Sequence, residues 1–303
     1  MKKSTRILFI IATGLSILGG TIFILSFFFK SKQISYRNEN GDGLCRLKNY
    51  TGICYFNTVM QCLYSTKAGK FFLDRKFEEG TIENEMKKMF IKMKNANGAC
   101  INLLNDYKNM FRIMGDDKND VDDGGHPSQI IGYIFYKIYN ERKVNNNFSD
   151  GFDKYFKAIY DFYKAREEAE QKKGQYKKIH YPGGAIPFLM LENTPVTYIM
   201  KKYEYYKKSP PEIITLFPQD EKNIDKNNLK KNLSFTVNIS GYNYILRCIG
   251  VTCGFQSTPH IYSLVRSGNF WYTLNDSQRI KRIPHRSVIA SIESVGLLVY
   301  ELC

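Results

Sequence analysis

Cys54 heads an apolar run, Tyr55, Phe56, Val59, Met60 and Leu63, spaced like the buried stripe of a helix. A thiol at a helix N-terminus meets free backbone N–H groups and the positive end of the macrodipole, which favour the thiolate and make it nucleophilic near neutral pH. The same position suits an inert core cysteine, and the helix alone does not choose between the two. A nucleophile of this kind also needs a base. Of the histidines His126, His180, His260 and His285, only His260 has a strand, a turn and an amide partner in order. His260 and Asn275 are spaced as adjacent strands of a hairpin turning at Ser267-Gly268-Asn269, which brings their side chains together.

The elements that must position these groups divide by period. From Ala68 to Met114 apolar residues recur mostly at spacings of three and four, and Pro127 suits the first turn of a further helix. Phe148 to Gln175 is amphipathic at helical spacing and closes at Gly174. From Ile179 onward the period shifts towards two, with strand-like stretches at 186–193, 196–206, 211–217, 233–239, 242–253, 261–266, 270–275 and 296–302. The acidic stretch Gly115 to Asp123 lies between and reads as a solvated loop.

The chain has 303 residues, 43% hydrophobic and 15% aromatic, a globular and not a disordered composition. Its formal charge is +15, but the lysines are scattered among Asn and Tyr without an Arg-rich stripe, so no nucleic-acid partner is expected. Seven cysteines without regular spacing and without a CxxC pair give no disulfide framework and no zinc ligand set, so no metal or cofactor is expected and a reducing compartment is. Residues 7–29 carry no charge and are long enough, as a helix, to cross a hydrocarbon core of about 30 Å. They end in three phenylalanines and not at a small-x-small cleavage site, which reads as an uncleaved anchor.

Leu47 to Leu63 resembles the cysteine box of the ubiquitin-specific proteases, with Leu47, Asn49, Cys54, Tyr55, Asn57, Gln61 and Leu63 in place. Thr51-Gly52-Ile53 stands where that family usually has Gly-Asn-Thr. Residues 244–277 resemble its histidine box through His260, Val265, Trp271, Tyr272, Asn275, Asp276 and Ser277, with Pro259 in place of the usual glycine. Gly124 to Ile131 matches the family's acidic box by position only.

The resemblance implies roles. Cys54 would attack a carbonyl, His260 would serve as base and then acid, Asn275 would orient the imidazole, and Asn49 would donate to the oxyanion. Asp276 would polarise the oxyanion site or replace Asn275 as orienting group. The implied fold class is α+β, a papain-like cysteine protease fold with a helical thumb, an antiparallel-sheet palm and short fingers, preceded by one N-terminal transmembrane helix. The corresponding domains are a tail at 1–6, an anchor at 7–29, a polar linker at 30–41 and a catalytic domain at 42–303. The implied activity is a thiol-dependent deubiquitinase that hydrolyses the bond after the C-terminal glycine of ubiquitin. Its partners would be ubiquitin, ubiquitinated proteins and a membrane. With residues 7–29 as anchor the chain would be a monomeric single-pass membrane protein, and the free thiol nucleophile and odd cysteine count place the catalytic domain on the reducing, cytosolic side. Two alternatives stay open: a pseudoenzyme that binds ubiquitinated partners without cleavage, and a peptidase for another ubiquitin-like modifier.

Overall fold

A helix buried on every side must be wrapped by other layers, and Cys54–Tyr64 is such a helix in the computed structural model: all of its residues are buried. The structure describes residues 36–38, 41–50, 52–113, 125–144, 189–191, 212–218, 233–239, 241–254 and 260–303. In chain order these form β1 (Arg46–Leu47), α1 (Cys54–Tyr64), α2 (Lys67–Asp74), α3 (Ile82–Ala96), β2 (Cys100–Ile101), α4 (Leu104–Ile113) and α5 (Pro127–Val144). The strands β3 (Leu189–Leu191), β4 (Ile213–Pro218), β5 (Thr236–Ile239), β6 (Tyr242–Cys253), β7 (His260–Ser267), β8 (Phe270–Leu274), β9 (Lys281–Pro284) and β10 (Ser294–Leu302) follow.

Local chemistry explains the helix boundaries. Thr66 and Thr81 cap α2 and α3, accepting from the backbone N–H of Ala68 and Asn84. Glu83 and Glu85 occupy the first turn of α3 and Lys94 its last, as the macrodipole favours. Asn97 and Gly98 stop it in the left-handed region, with φ of 41° and 87°. Pro127 opens α5, as expected, and the helical pattern from Ala68 to Met114 is carried by α2, α3 and α4, with β2 between the last two.

The strands form an eight-stranded sheet in the order β3-β4-β10-β6-β7-β8-β9, with β5 also paired to β6. All of its pairs are antiparallel except β3–β4. β1 and β2 make a separate parallel pair. Alternation gives the sheet two buried faces. Ile261, Val265, Leu297 and Val299 join the core beneath α1, whereas Ile249, Val251, Leu264, Trp271, Leu298 and Tyr300 fill the opposite one. In the helical layer Phe56 stacks on Tyr107 with ring centroids 3.9 Å apart. Its complete burial stabilises the fold by about 2 kcal/mol. A buried ion pair, Arg142 Nε donating to Glu83 Oε1 at 2.8 Å, ties α5 to α3.

Two contacts fix α1 on the sheet. A Cβ at Gly250 would lie 2.9 Å from Leu297 Cβ and 3.1 Å from Thr58 Cγ2, so the glycine in β6 admits the helix at close range. Cys62 of α1 and Cys248 of β6 form a disulfide, with their Cα atoms 5.5 Å apart. This corrects the expectation that the cysteines make no disulfide. The partners lie 186 residues apart, each inside a regular element, so no spacing pattern betrays them.

The expected transmembrane helix and single-pass membrane localisation are also corrected. No helix among the described residues is long and apolar enough to cross a membrane. The longest, α5, has 18 residues and carries Lys137, Glu141, Arg142 and Lys143. The 7–29 segment lies outside the described residues, as do the acidic loop, the expected helix at 148–175 and Pro259. The disulfide also removes the argument from a reducing compartment that supported a cytosol-facing domain.

Candidate functional site

The five residues singled out in the sequence converge at the N-terminal end of α1. Cys54 is the first residue of the helix and 8% exposed. Ile53 is the N-cap, and its own side chain makes no cap hydrogen bond. Gly52 precedes it at φ 83°, a turn that a side chain would strain. The Cys54 thiol points back along this turn, 4.0 Å from the Gly52 carbonyl oxygen.

His260 opens β7, and the hairpin to β8 turns at Gly268-Asn269, with Gly268 at φ 57° and Ser267 paired with Phe270. Asn275 follows the end of β8. Its Oδ1 lies 2.9 Å from His260 Nε2 and accepts from it, which leaves Nδ1 as the ring's other nitrogen. The imidazole pKa is pushed from 6.5 up to about 9, first by its hydrogen bond with the Cys54 thiol, and further by Asn275 and the Asp276 charge, against the opposing effect of burial. The imidazole is thus bonded to the Asn275 amide, and its titration is coupled to the Cys54 thiol.

Asn49 stands on the other side. Its Oδ1 accepts from the Ile53 N–H at 2.9 Å, and its Nδ2 donates to Asp276 Oδ2 at 3.2 Å. Asp276 adopts the left-handed conformation, φ 46°, which turns its carboxylate towards both Asn49 and His260, with Oδ2 3.6 Å from Nε2. Asn275 is thus the nearer orienting group, and Asp276 links the loop before Cys54 to the loop after β8.

Sequence reasoning assigned no role to Asn57, which holds the Asn49 loop in place. Its Nδ2 donates to the Lys48 carbonyl at 3.2 Å, and its Oδ1 accepts from the Tyr107 hydroxyl at 2.9 Å. An asparagine in an otherwise apolar helical run was the available signal, because a buried amide requires partners. Cys253 was also missed. It is the register partner of His260, and burial pushes its thiol pKa up, with smaller contributions from the charges of Glu293 and Cys54. Among the described residues no cluster of His, Cys, Asp or Glu could hold a metal ion.

The fold and site define a mixed helix-and-sheet protein with a Cys-His-Asn constellation at the head of a buried helix. No family model matches the chain. No curated protein matches it either. Among solved structures it is similar to an essential yeast splicing factor, with 11% identity, coverage of 92% of this chain and 75% of that chain, and a TM-score of 0.53. At this identity the likeness is one of fold alone. It corrects the expected papain-like protease fold class, since the fold matched is that of a splicing factor. That structure is described as a splicing factor, so neither a hydrolase nor a deubiquitinase label follows from this likeness.

Proposed function

We propose that the chain is a thiol-dependent acyl-transfer enzyme that hydrolyses the peptide or isopeptide bond after the C-terminal glycine of ubiquitin. The observation that carries this reading is His260, held by Asn275 through Nε2 at 2.9 Å and placed so that Cys54 is the largest influence on its imidazole. In this arrangement the His260 imidazole takes the thiol proton, the Cys54 sulfur attacks the carbonyl carbon, and the imidazolium protonates the amine as the C–N bond breaks. Water then attacks the thioester with His260 again as base, releasing the free carboxylate and the thiol. The amides at the head of α1 face the developing oxyanion, joined by the Asn49 amide once it leaves Asp276.

Ubiquitin as substrate is supported by the resemblance of residues 47–63 and 244–277 to the two boxes of the ubiquitin-specific proteases. A second reading, binding of ubiquitinated partners without cleavage, is favoured by one observation: the Asn49 amide N–H is already engaged by Asp276. Release of a fluorophore amide-linked to the ubiquitin C-terminus separates the two. Turnover that disappears in Cys54→Ala supports the hydrolase; binding of ubiquitin without turnover supports the second reading.

A further inference from the structure

Tyr50 is 59% exposed, the most exposed large hydrophobic side chain among the described residues. It follows Asn49 directly and stands four residues before Cys54. The Lys48 ammonium lies over its ring, 5.5 Å from the centroid. The Lys48 backbone is fixed on both sides, its N–H donating to the Ile101 carbonyl at 2.8 Å and its carbonyl accepting from Asn57. Arg46 extends the row. Its Nη1 donates to the Ser277 carbonyl at 3.1 Å and its Nε to the Gly98 carbonyl at 3.3 Å, which holds the guanidinium against the loop of Asp276 without neutralising it. Among the described residues no carboxylate forms an ion pair with Arg46 or Lys48.

Arg46 on β1, Lys48 just after it and the exposed Tyr50 thus place two cations and an aromatic ring at alternate positions shortly before the nucleophile in the chain. We propose that Arg46, Lys48 and Tyr50 form a docking rim for an acidic segment of the protein released by cleavage. The inference rests on the hydrolase reading above. The rim serves the leaving-group side, because the Arg-containing tail of ubiquitin would be repelled by Arg46 and Lys48. A carboxylate there pairs with the Lys48 ammonium, which lies over the Tyr50 ring, while the neighbouring side chain packs on the part of Tyr50 that remains exposed. The contact is solvent-exposed, so its effect is modest and sensitive to salt.

The test uses the full chain and two ubiquitin fusions whose released segments begin with either Asp and Glu or Lys residues. The acidic fusion is expected to be cleaved about fivefold faster in kcat/KM at low salt, an advantage that shrinks at high salt. Lys48→Glu is expected to abolish or reverse the preference, while turnover of a fusion with a neutral segment stays unchanged. Equal rates for the two fusions, or a preference retained in Lys48→Glu, would overturn the rim. If neither fusion is cleaved, the hydrolase reading fails separately. The rim is then read by fluorescence anisotropy of the labelled acidic segment: binding weakened severalfold by Lys48→Glu supports it, and binding indifferent to that change overturns it.

Discussion

His260 Nε2 lies 2.9 Å from Asn275 Oδ1, and this bond fixes the orientation of the imidazole. Removing the amide leaves the ring free to rotate and to change tautomer. Asn275→Ala is expected to lower kcat by about 100-fold with little change in KM, the size associated with misplacing a reacting group. Asn275→Asp keeps an acceptor at the same place and is expected to retain much more activity. Steady-state kinetics on a ubiquitin C-terminal amide checks both.

The raised pKa of His260 has a definite sign. In the folded chain it is about 9 against the ordinary 6.5, and its largest cause is the Cys54 hydrogen bond. The protonated imidazole is therefore favoured by folding. That stabilisation is complete below about pH 6.5 and is lost as pH rises through about 9. Cys54→Ala removes the leading cause, so the His260 titration measured by NMR is expected to move down and the loss of stability across this window to shrink.

Gly250 sets the distance between α1 and the sheet. Its added Cβ would meet Leu297, Thr58 and Ile261. Gly250→Val is expected to destabilise the fold by about 2 kcal/mol through overpacking. It should also reduce Cys54 reactivity, because the helix carrying the thiol is pushed from the sheet carrying His260. Denaturant unfolding and the rate of Cys54 alkylation report the two effects separately.

The Cys62–Cys248 disulfide closes a long loop between the helix of Cys54 and the strand paired with that of His260. Replacing both cysteines with alanine is expected to cost about 3 kcal/mol, chiefly by freeing the unfolded chain. Alkylation of the denatured, unreduced chain should leave Cys62 and Cys248 unlabelled in a peptide map. Labelling of either would contradict the linkage.

Much of this site was legible because its signals are local. A cysteine heading an apolar helical run marked α1, and the Gly268 turn between two alternating stretches marked the His260–Asn275 hairpin. Tyr242–Cys253 matches its expected strand from end to end. β9 escaped notice because Lys281-Arg282-Ile283-Pro284 is a polar edge strand with no apolar alternation. The Asn49–Asp276 bond was not legible, since it depends on a left-handed backbone at Asp276 and joins residues 227 apart. The cysteine pair was hidden for a similar reason: two buried thiols far apart in sequence look like ordinary core residues. The membrane reading came from an apolar run whose residues lie outside the described structure.

The central claim, that Cys54 is a nucleophile served by His260, is tested most directly with ubiquitin carrying a C-terminal electrophile. Incubation with the full chain, followed by intact mass measurement and peptide mapping, should find one ubiquitin attached to Cys54. His260→Ala should slow the reaction by about 100-fold or more, and Cys54→Ala should abolish it. An adduct on another cysteine, or one that persists in Cys54→Ala, would contradict the account.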